Sequence, residues 1–478
     1  MNYKKFIFYF IFAITFFRLL YINFFPLLGD EAYYWQWSRH LDLGYYEQGP
    51  VLSIIIYLFT FFNKINTLFT IRLGAVILSM LTMFLCFLIY NKIYQENYKG
   101  SFFNILFINS TLIFSAGAIL MMHDTVMVFF YTLLIYIFLF IIEKPENTKN
   151  WIFAGIIYGI AIMSKFTIIL IYPALLLFFL LRKDFKKYIF GFILFTLMTL
   201  ISLSPVILWN YMNNWPNIKY LLIRSGSNKN FTHKYIFEYF TGQIALLNPL
   251  LYFFLIISAL KNLYQTQTKQ KKFLSLTFII PQIIFIYLSL KNKIEANWPA
   301  FSYVPVFFLA TDYLINTKNN FLKKFFHIIC GFGFFICIII YIFILLYPLL
   351  NLTHSNALTK STGINKLALE INNLYNNTKQ NNRLFIAARH YQIASLLSFY
   401  LPQQPMVYIL IENEASKNYR FWKSYKKLKD YNCIFVYEEE WERNEMSKFF
   451  SDCKREIKII EINKRKFYVD YFIRYNGL

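Results

Sequence analysis

The chain has 478 residues, 58% of them hydrophobic and 15% charged, with 56 Phe and 38 Tyr. Apolar and aromatic residues in that proportion exclude a soluble globule. The formal net charge of +23 is spread through short loops and a terminal segment, not gathered in a stripe, which argues against a nucleic-acid partner and for membrane topology and lipid headgroups.

A hydrocarbon core of about 30 Å takes roughly 20 apolar residues per helix. Apolar runs and their breaks predict about eleven spans, near 6–28, 67–91, 102–118, 122–142, 151–165, 166–181, 188–209, 243–260, 273–290, 297–315 and 325–348. The two that meet at Lys165 read equally as one long broken helix. The first run follows Lys4 and Lys5, exceeds a signal-peptide core in length and has no small-residue cleavage site, so it reads as a retained span. Beyond the last span the runs RLFIAARHYQIASLLSFYLP, MVYILI, CIFVYEE, EIKIIEI and KFYVDYFIRY alternate helical and β-rich character. The predicted fold is thus mainly α: a polytopic membrane domain over 1–348 and a small soluble α/β domain over 349–478.

With a cytoplasmic N-terminus, the inside loops carry Lys4, Lys5, Lys92, Lys99, Lys144, Lys149, the basic runs at 182–187 and 261–272, and Lys318, Lys323 and Lys324. Short Lys-rich loops on one side are what the positive-inside rule expects. The outside then receives 29–66, 210–242, the turn 291–297 and the tail, so the expected location is an inner membrane with a periplasmic C-terminal domain. Asp30, Glu31, Glu47, His123, Asp124, Lys165, Arg224, His233, Lys291, Lys293 and Glu295 fall at that outer face, although none was used to define it. Ionisable residues at the ends of apolar spans are costly unless paired or solvated, so their convergence predicts an outward polar cavity. Arg18, inside the first span, is the exception.

The densest chemical signal is GDEAYYWQWSRHLDLGYYEQGP at 29–50. Asp30 and Glu31 are adjacent, so on a helix their side chains diverge by about 100°, and one can face a substrate while the other anchors the loop. The aromatic residues that follow suit a short interfacial helix, and Gly49–Pro50 break the chain before the apolar segment 51–62. The five cysteines lack metal-ligand spacing; Cys433 and Cys453, both in the tail, could pair in an oxidising compartment.

The DEAYYW box, Tyr46 to Pro50, the HDT turn at 123–125, SKFT at 164–167, SPVILWNYMNNW at 204–215, EANWPA at 295–300 and RHYQIASLLSFYLP at 389–402 resemble, in order and placement, the dolichyl-phosphate-mannose protein mannosyltransferase superfamily. Its bacterial members include the aminoarabinose transferase of lipid A. The resemblance implies a GT-C membrane fold, a polyprenyl-phosphate sugar donor, a lipid or glycan acceptor, and Asp30 as the catalytic aspartate with Asp124 a second catalytic-site acid. A carboxylate at Asp30 would take the proton of an attacking acceptor hydroxyl. Charge that develops on the leaving lipid phosphate needs cations, for which Lys165, Arg224, Lys291, Lys293 and Arg389 are the candidates. Glu31, Tyr34, Glu47 and Glu295 complete the expected substrate-binding set.

Two departures stand out. Tyr33 and Gln48 occupy the places where the aminoarabinose transferases carry an Arg and a Lys. Glu47 matches a metal-binding residue of those enzymes, but His233 is the only nearby histidine to join it, so a divalent metal near Glu47 is the one cofactor the resemblance allows and none is predicted. The competing readings are a lipid-linked sugar transporter or flippase, which would place its charges near the bilayer midplane, and a protein O-mannosyltransferase.

Overall fold

The computed structural model describes residues 2–225, 231–265, 268–350, 357–378, 383–411, 414–439, 442–462 and 464–477. The stretches 226–230, within the outer segment expected at 210–242, and 266–267, within the basic run at 261–272, lie outside the described residues. Among the described residues, five helices are long and apolar enough to cross a membrane: Leu68–Ile93, His123–Glu143, Lys186–Met212, Lys269–Ser289 and Asn320–Leu349. Lys234–Leu247 and Leu251–Gln265, bent by 98°, make a sixth if they form one span.

The other expected spans are shorter or broken helices. Thr148–Ser164 and Ala300–Asn316 have 17 residues each, and Tyr3–Tyr21 has 19 with Lys4, Lys5 and Arg18 among them. The run expected at 102–118 divides into Tyr98–Asn109 and Leu112–Gly117, where the hydroxyls of Ser110 and Thr111 donate to the carbonyls of Phe107 and Ile108 and so compete with the helical pattern. At Lys165 the backbone is extended (φ −156°, ψ 122°), followed by a 3₁₀ turn Phe166–Ile171 and the helix Tyr172–Leu180.

The chain divides into two compact units. The first comprises Met1–Ile22, Asp42–Ile55 and Arg72–Ile340. Thr148–Ser164 packs on Lys186–Met212, and glycine makes the close approach possible: a Cβ on Gly155 would stand 2.5 Å from the Phe195 carbonyl, and one on Gly159 2.5 Å from Ser202 Cβ. This is the small-x-x-x-small device of membrane helices, which lets backbones come together where no hydrophobic force drives them. Trp151, Phe138, Phe179, Tyr188 and Phe195 pack around that seam. Ile328, Phe332, Phe335 and Ile339, at helical spacing on Asn320–Leu346, point outward and exposed, as on a lipid-facing surface.

The second unit gathers Asn23–Leu41, Ile56–Ile71 and Tyr341–Leu478. Thus much of the first outer loop folds with the tail. Its sheet runs β1(Leu384–Ala388), β2(Asn432–Tyr437), β3(Phe450–Ile462) and β4(Arg465–Tyr475) in the spatial order β1-β2-β4-β3. β1 pairs parallel with β2 and the other neighbours are antiparallel, with a register shift between Lys454 and Lys458. The run MVYILI forms a single bridge, Tyr408 to Ala387, and no strand. Cys433 and Cys453 are both opposite Phe472, on either side of β4. Two strand spacings of about 4.8 Å therefore separate their backbones, beyond the reach of a disulfide, and both thiols are free. The pairing considered from sequence is not formed.

Candidate active site

In the first unit, four of the sequence motifs meet. Asp124 lies in the first turn of His123–Glu143, where the helix N-terminus favours a carboxylate. Its Oδ1 accepts from Lys165 Nζ at 2.6 Å and its Oδ2 from Asn297 Nδ2 at 2.8 Å. The Lys165 side chain is 6% exposed and that of Asp124 20%. Lys165 reaches this position because the helix stops at Ser164, whose carbonyl pairs with His123 Nδ1 at 2.8 Å, while Phe166 N donates to Gln48 Oε1 at 2.9 Å. A Cβ on Gly49 would stand 2.4 Å from the Met163 carbonyl, so this approach of Tyr46–Pro50 to SKFT requires glycine. HDT, SKFT, EANWPA and the Tyr46–Pro50 element thus share one site. Asn297, inside a motif but not singled out from sequence, is its added member.

A cavity of about 200 Å³ in the same unit is walled mainly by apolar groups such as Met83, Ile105, Ile108 and Val128, and Asp124 and Asn297 also line it. Arg18 donates to Ser79 Oγ (3.0 Å) and Asn109 Oδ1 (2.7 Å), two further residues of its lining.

Arg224 sits with its guanidinium over the Trp298 ring, Nε donating to Tyr220 Oη at 3.3 Å, and its carbonyl accepting from Asn292 Nδ2. Burial works against its charge, but Tyr220, Glu295 and Glu47 outweigh that and hold its pKa above the ordinary arginine value. Glu47 and Glu295 therefore share the field of one guanidinium. Among the described residues no group of three or more His, Cys, Asp or Glu side chains is placed to hold a metal, and His233 is exposed. Lys291 lies against the Phe231 and Tyr287 rings, and Lys293 makes a loose, exposed pair with Glu295 at 4.0 Å.

In the second unit, Asp30 and Glu31 take the divergent roles their adjacency predicts. Glu31 is fully buried, and its Oε2 accepts from Leu28 N at 3.2 Å, closing the start of the helix Gly29–Arg39. Asp30 is half-buried, and its Oδ1 accepts from Gln392 Nε2 at 2.8 Å and Tyr391 Oη at 3.1 Å. Both donors open the helix Tyr391–Tyr400. Tyr34 packs on Tyr33 and Trp37, and Tyr33 Oη accepts from Asn418 N at 2.9 Å. Arg389 is bound to Glu445 at 2.9 Å, with Glu442 at 3.8 Å. Gln392 and Tyr391 both lie in the motif RHYQIASLLSFYLP, whose composition alone does not show which side chains reach the aspartate.

A multi-pass membrane fold with carboxylates and cations at helix ends defines a class of lipid-facing membrane proteins, and the comparisons specify it. Residues 47–209 match the family model described as dolichyl-phosphate-mannose-protein mannosyltransferase. The chain is 21% identical over 298 residues to the lipid A galacturonosyltransferase RgtD of Rhizobium johnstonii, the match covering 61% of each chain, so it spans less than two thirds of that relative. The fold matches ArnT from Cupriavidus metallidurans in the apo state, with TM-score 0.65, 10% identity and coverage of 96% of this chain and 97% of that one. The undecaprenyl-phosphate-bound form matches over the same shares with TM-score 0.66 and 12% identity. Residues 47–209 are thus similar to that family, and the fold as a whole is similar to that of ArnT.

Proposed function

We propose that the protein is a membrane glycosyltransferase that moves a sugar from a polyprenyl-phosphate donor, of the undecaprenyl type, to an envelope acceptor such as lipid A, lipopolysaccharide core or O-antigen, or another glycan, at the periplasmic face. The observation that carries this reading is the mounting of Asp30. Two donors fix one carboxylate oxygen, Oδ1, and among the described residues Oδ2 has no hydrogen-bond partner. That is how a base is oriented while one oxygen stays available. In the transfer, an acceptor oxygen attacks the anomeric carbon, the bond from that carbon to the phosphate oxygen breaks, and its electron pair leaves on the lipid phosphate. The acceptor proton passes to Asp30. Asp124 sets the position of the Lys165 ammonium, and Lys165 and Arg224 are the cations proposed to offset the charge that develops on phosphate. The apolar cavity beside Asp124 suits a hydrocarbon chain.

The test is mass spectrometry of lipid A and polysaccharide fractions from cells making the wild-type protein or Asp30→Asn at matched membrane levels. A sugar increment present in the first and absent in the second is the expected result, and its mass names the sugar and acceptor. An increment that survives Asp30→Asn removes Asp30 as base; no increment in either moves the reading to a lipid-linked sugar transporter or to a protein acceptor.

A further inference from the structure

The helix Gly29–Arg39 carries Arg39 nine residues beyond Asp30, or about 13 Å along the axis. There the second unit holds a cavity of about 610 Å³ lined by Arg39, Asn63, Lys64, Asn66, Gln403 and Gln404. Two of the six are cations, four are amides and none is an acid.

Arg39 lies over the Trp35 ring with its guanidinium carbon 4.8 Å from the centroid. Its Nη1 is buried without a hydrogen-bond partner, and among the described residues no carboxylate is within ion-pair distance of it. Burial draws its pKa below the usual arginine value, opposed only by Tyr419. A desolvated guanidinium is costly unless an acceptor reaches it. The walls around it are fixed. Asn63 Nδ2 donates to the Ser38 carbonyl at 2.8 Å, Trp35 Nε1 donates to Asn66 Oδ1 at 2.9 Å, and Gln404 Nε2 reaches the Asn66 carbonyl at 3.2 Å. Phe61, Phe62, Asn63, Gln403 and Gln404 all adopt left-handed backbone, with φ between 47° and 61°. Non-glycine residues hold that conformation only where their surroundings enforce it, and such strain gathers at ligand sites.

The rim identifies the source of the anion. Leu58, Phe61, Phe62 and Ile65 are 52, 52, 56 and 49% exposed and surround Asn63 and Lys64 in sequence. Large apolar side chains beside a lysine suit a bilayer interface, where the acyl boundary covers the rings and the cation sits at headgroup level. We propose that this cavity binds the phosphate headgroup of an anionic membrane lipid, gripped by Arg39 and Lys64, at a site distinct from Asp30 and not part of the transfer reaction.

The test uses the full chain in nanodiscs of phosphatidylcholine with phosphatidylglycerol, followed by gentle delipidation and native mass spectrometry to count retained lipids. Wild type is expected to keep phosphatidylglycerol in preference to phosphatidylcholine, and Arg39→Gln to lower that retention about tenfold or more, as loss of a charge-assisted bond does. Lys64 is exposed, so Lys64→Glu leaves folding intact and serves as the second variant; it too must lower retention. Equal retention in wild type and Lys64→Glu overturns the proposal even if Arg39→Gln fails to fold. Inorganic phosphate is the second probe. If millimolar phosphate displaces phosphatidylglycerol completely and binds with the same dependence on Arg39 and Lys64, the site belongs to a free anion and the lipid assignment falls.

Discussion

Replacing Asp124 by Asn removes the carboxylate that, among the described residues, holds Lys165, and the cost follows from how unequally the two are buried. The ammonium sits on a side chain that is 6% exposed, against 20% for the acid. Asp124→Asn keeps shape and the possibility of a bond to Asn297, but leaves a nearly dry ammonium without its counter-ion, a loss of about 3 to 4 kcal/mol. Lys165→Met leaves a carboxylate that still accepts from Asn297 at 2.8 Å and retains some solvent, a loss nearer 1 to 2 kcal/mol. The double substitution leaves no stranded charge and is expected to resemble Lys165→Met alone, so the coupling energy is about 3 to 4 kcal/mol. Equilibrium unfolding of the four proteins in one detergent measures all three values, and no substrate is required. Equal single losses, or a double mutant at the sum of the two, would refute the argument that the pair is a buried, mutually dependent unit.

Packing offers a matched pair of glycine substitutions. A Cβ on Gly49 meets the Met163 backbone at 2.4 Å, whereas one on Gly331 meets nothing within 4 Å. Gly49→Ala is expected to cost about 2 kcal/mol or more, and Gly331→Ala, inside a helix, to gain about 0.5 to 1 kcal/mol; thermal unfolding distinguishes them. Burial, with Lys360, Lys417 and Arg389 nearby, pulls the His390 pKa down to about 4. The unfolded chain therefore binds the proton first, and stability at His390 is full above about pH 6.5 and lost as pH falls toward 4, by at most about 3 kcal/mol. His390→Gln should flatten that part of the stability–pH curve. Gln392→Leu removes one of the two donors that orient Asp30, so kcat for sugar transfer should fall about tenfold or more with KM little changed, and Tyr391→Phe should fall less, its bond being longer. A Gln392→Leu effect confined to KM would contradict the orienting role.

Much of this site was legible because charge is conspicuous against an apolar background. Asp124 and Lys165 stand out at the ends of apolar runs, and each proves to be the other's partner. The diverging Asp30 and Glu31 were readable from helix geometry alone, and the structure turns Glu31 back to Leu28 and Asp30 toward Tyr391 and Gln392. What the sequence hid is long-range pairing. Arg389 looked like a phosphate ligand because nothing nearby in sequence opposes it; Glu442 and Glu445 come to it from more than 50 residues on. Cys433 and Cys453 looked pairable until strand register placed β4 between them.

The division of the chain is the instance with most bearing on function. Hydropathy divides residues 23–41 and 56–71 between the outer segment 29–66 and its flanking spans, because it scores only local composition. In the structure these segments fold with the tail. The ties are specific: Gly29 N to Ser361 Oγ at 3.1 Å, Leu27 N to Tyr400 Oη at 3.1 Å, and Asp30 to a pair of side chains more than 360 positions away. The proposed base is thus mounted on the second unit although it follows the helix Tyr3–Tyr21 of the first unit by only nine residues. Loss of tail packing should then disturb Asp30 before it disturbs the Asp124–Lys165 pair, which lies wholly within the other unit.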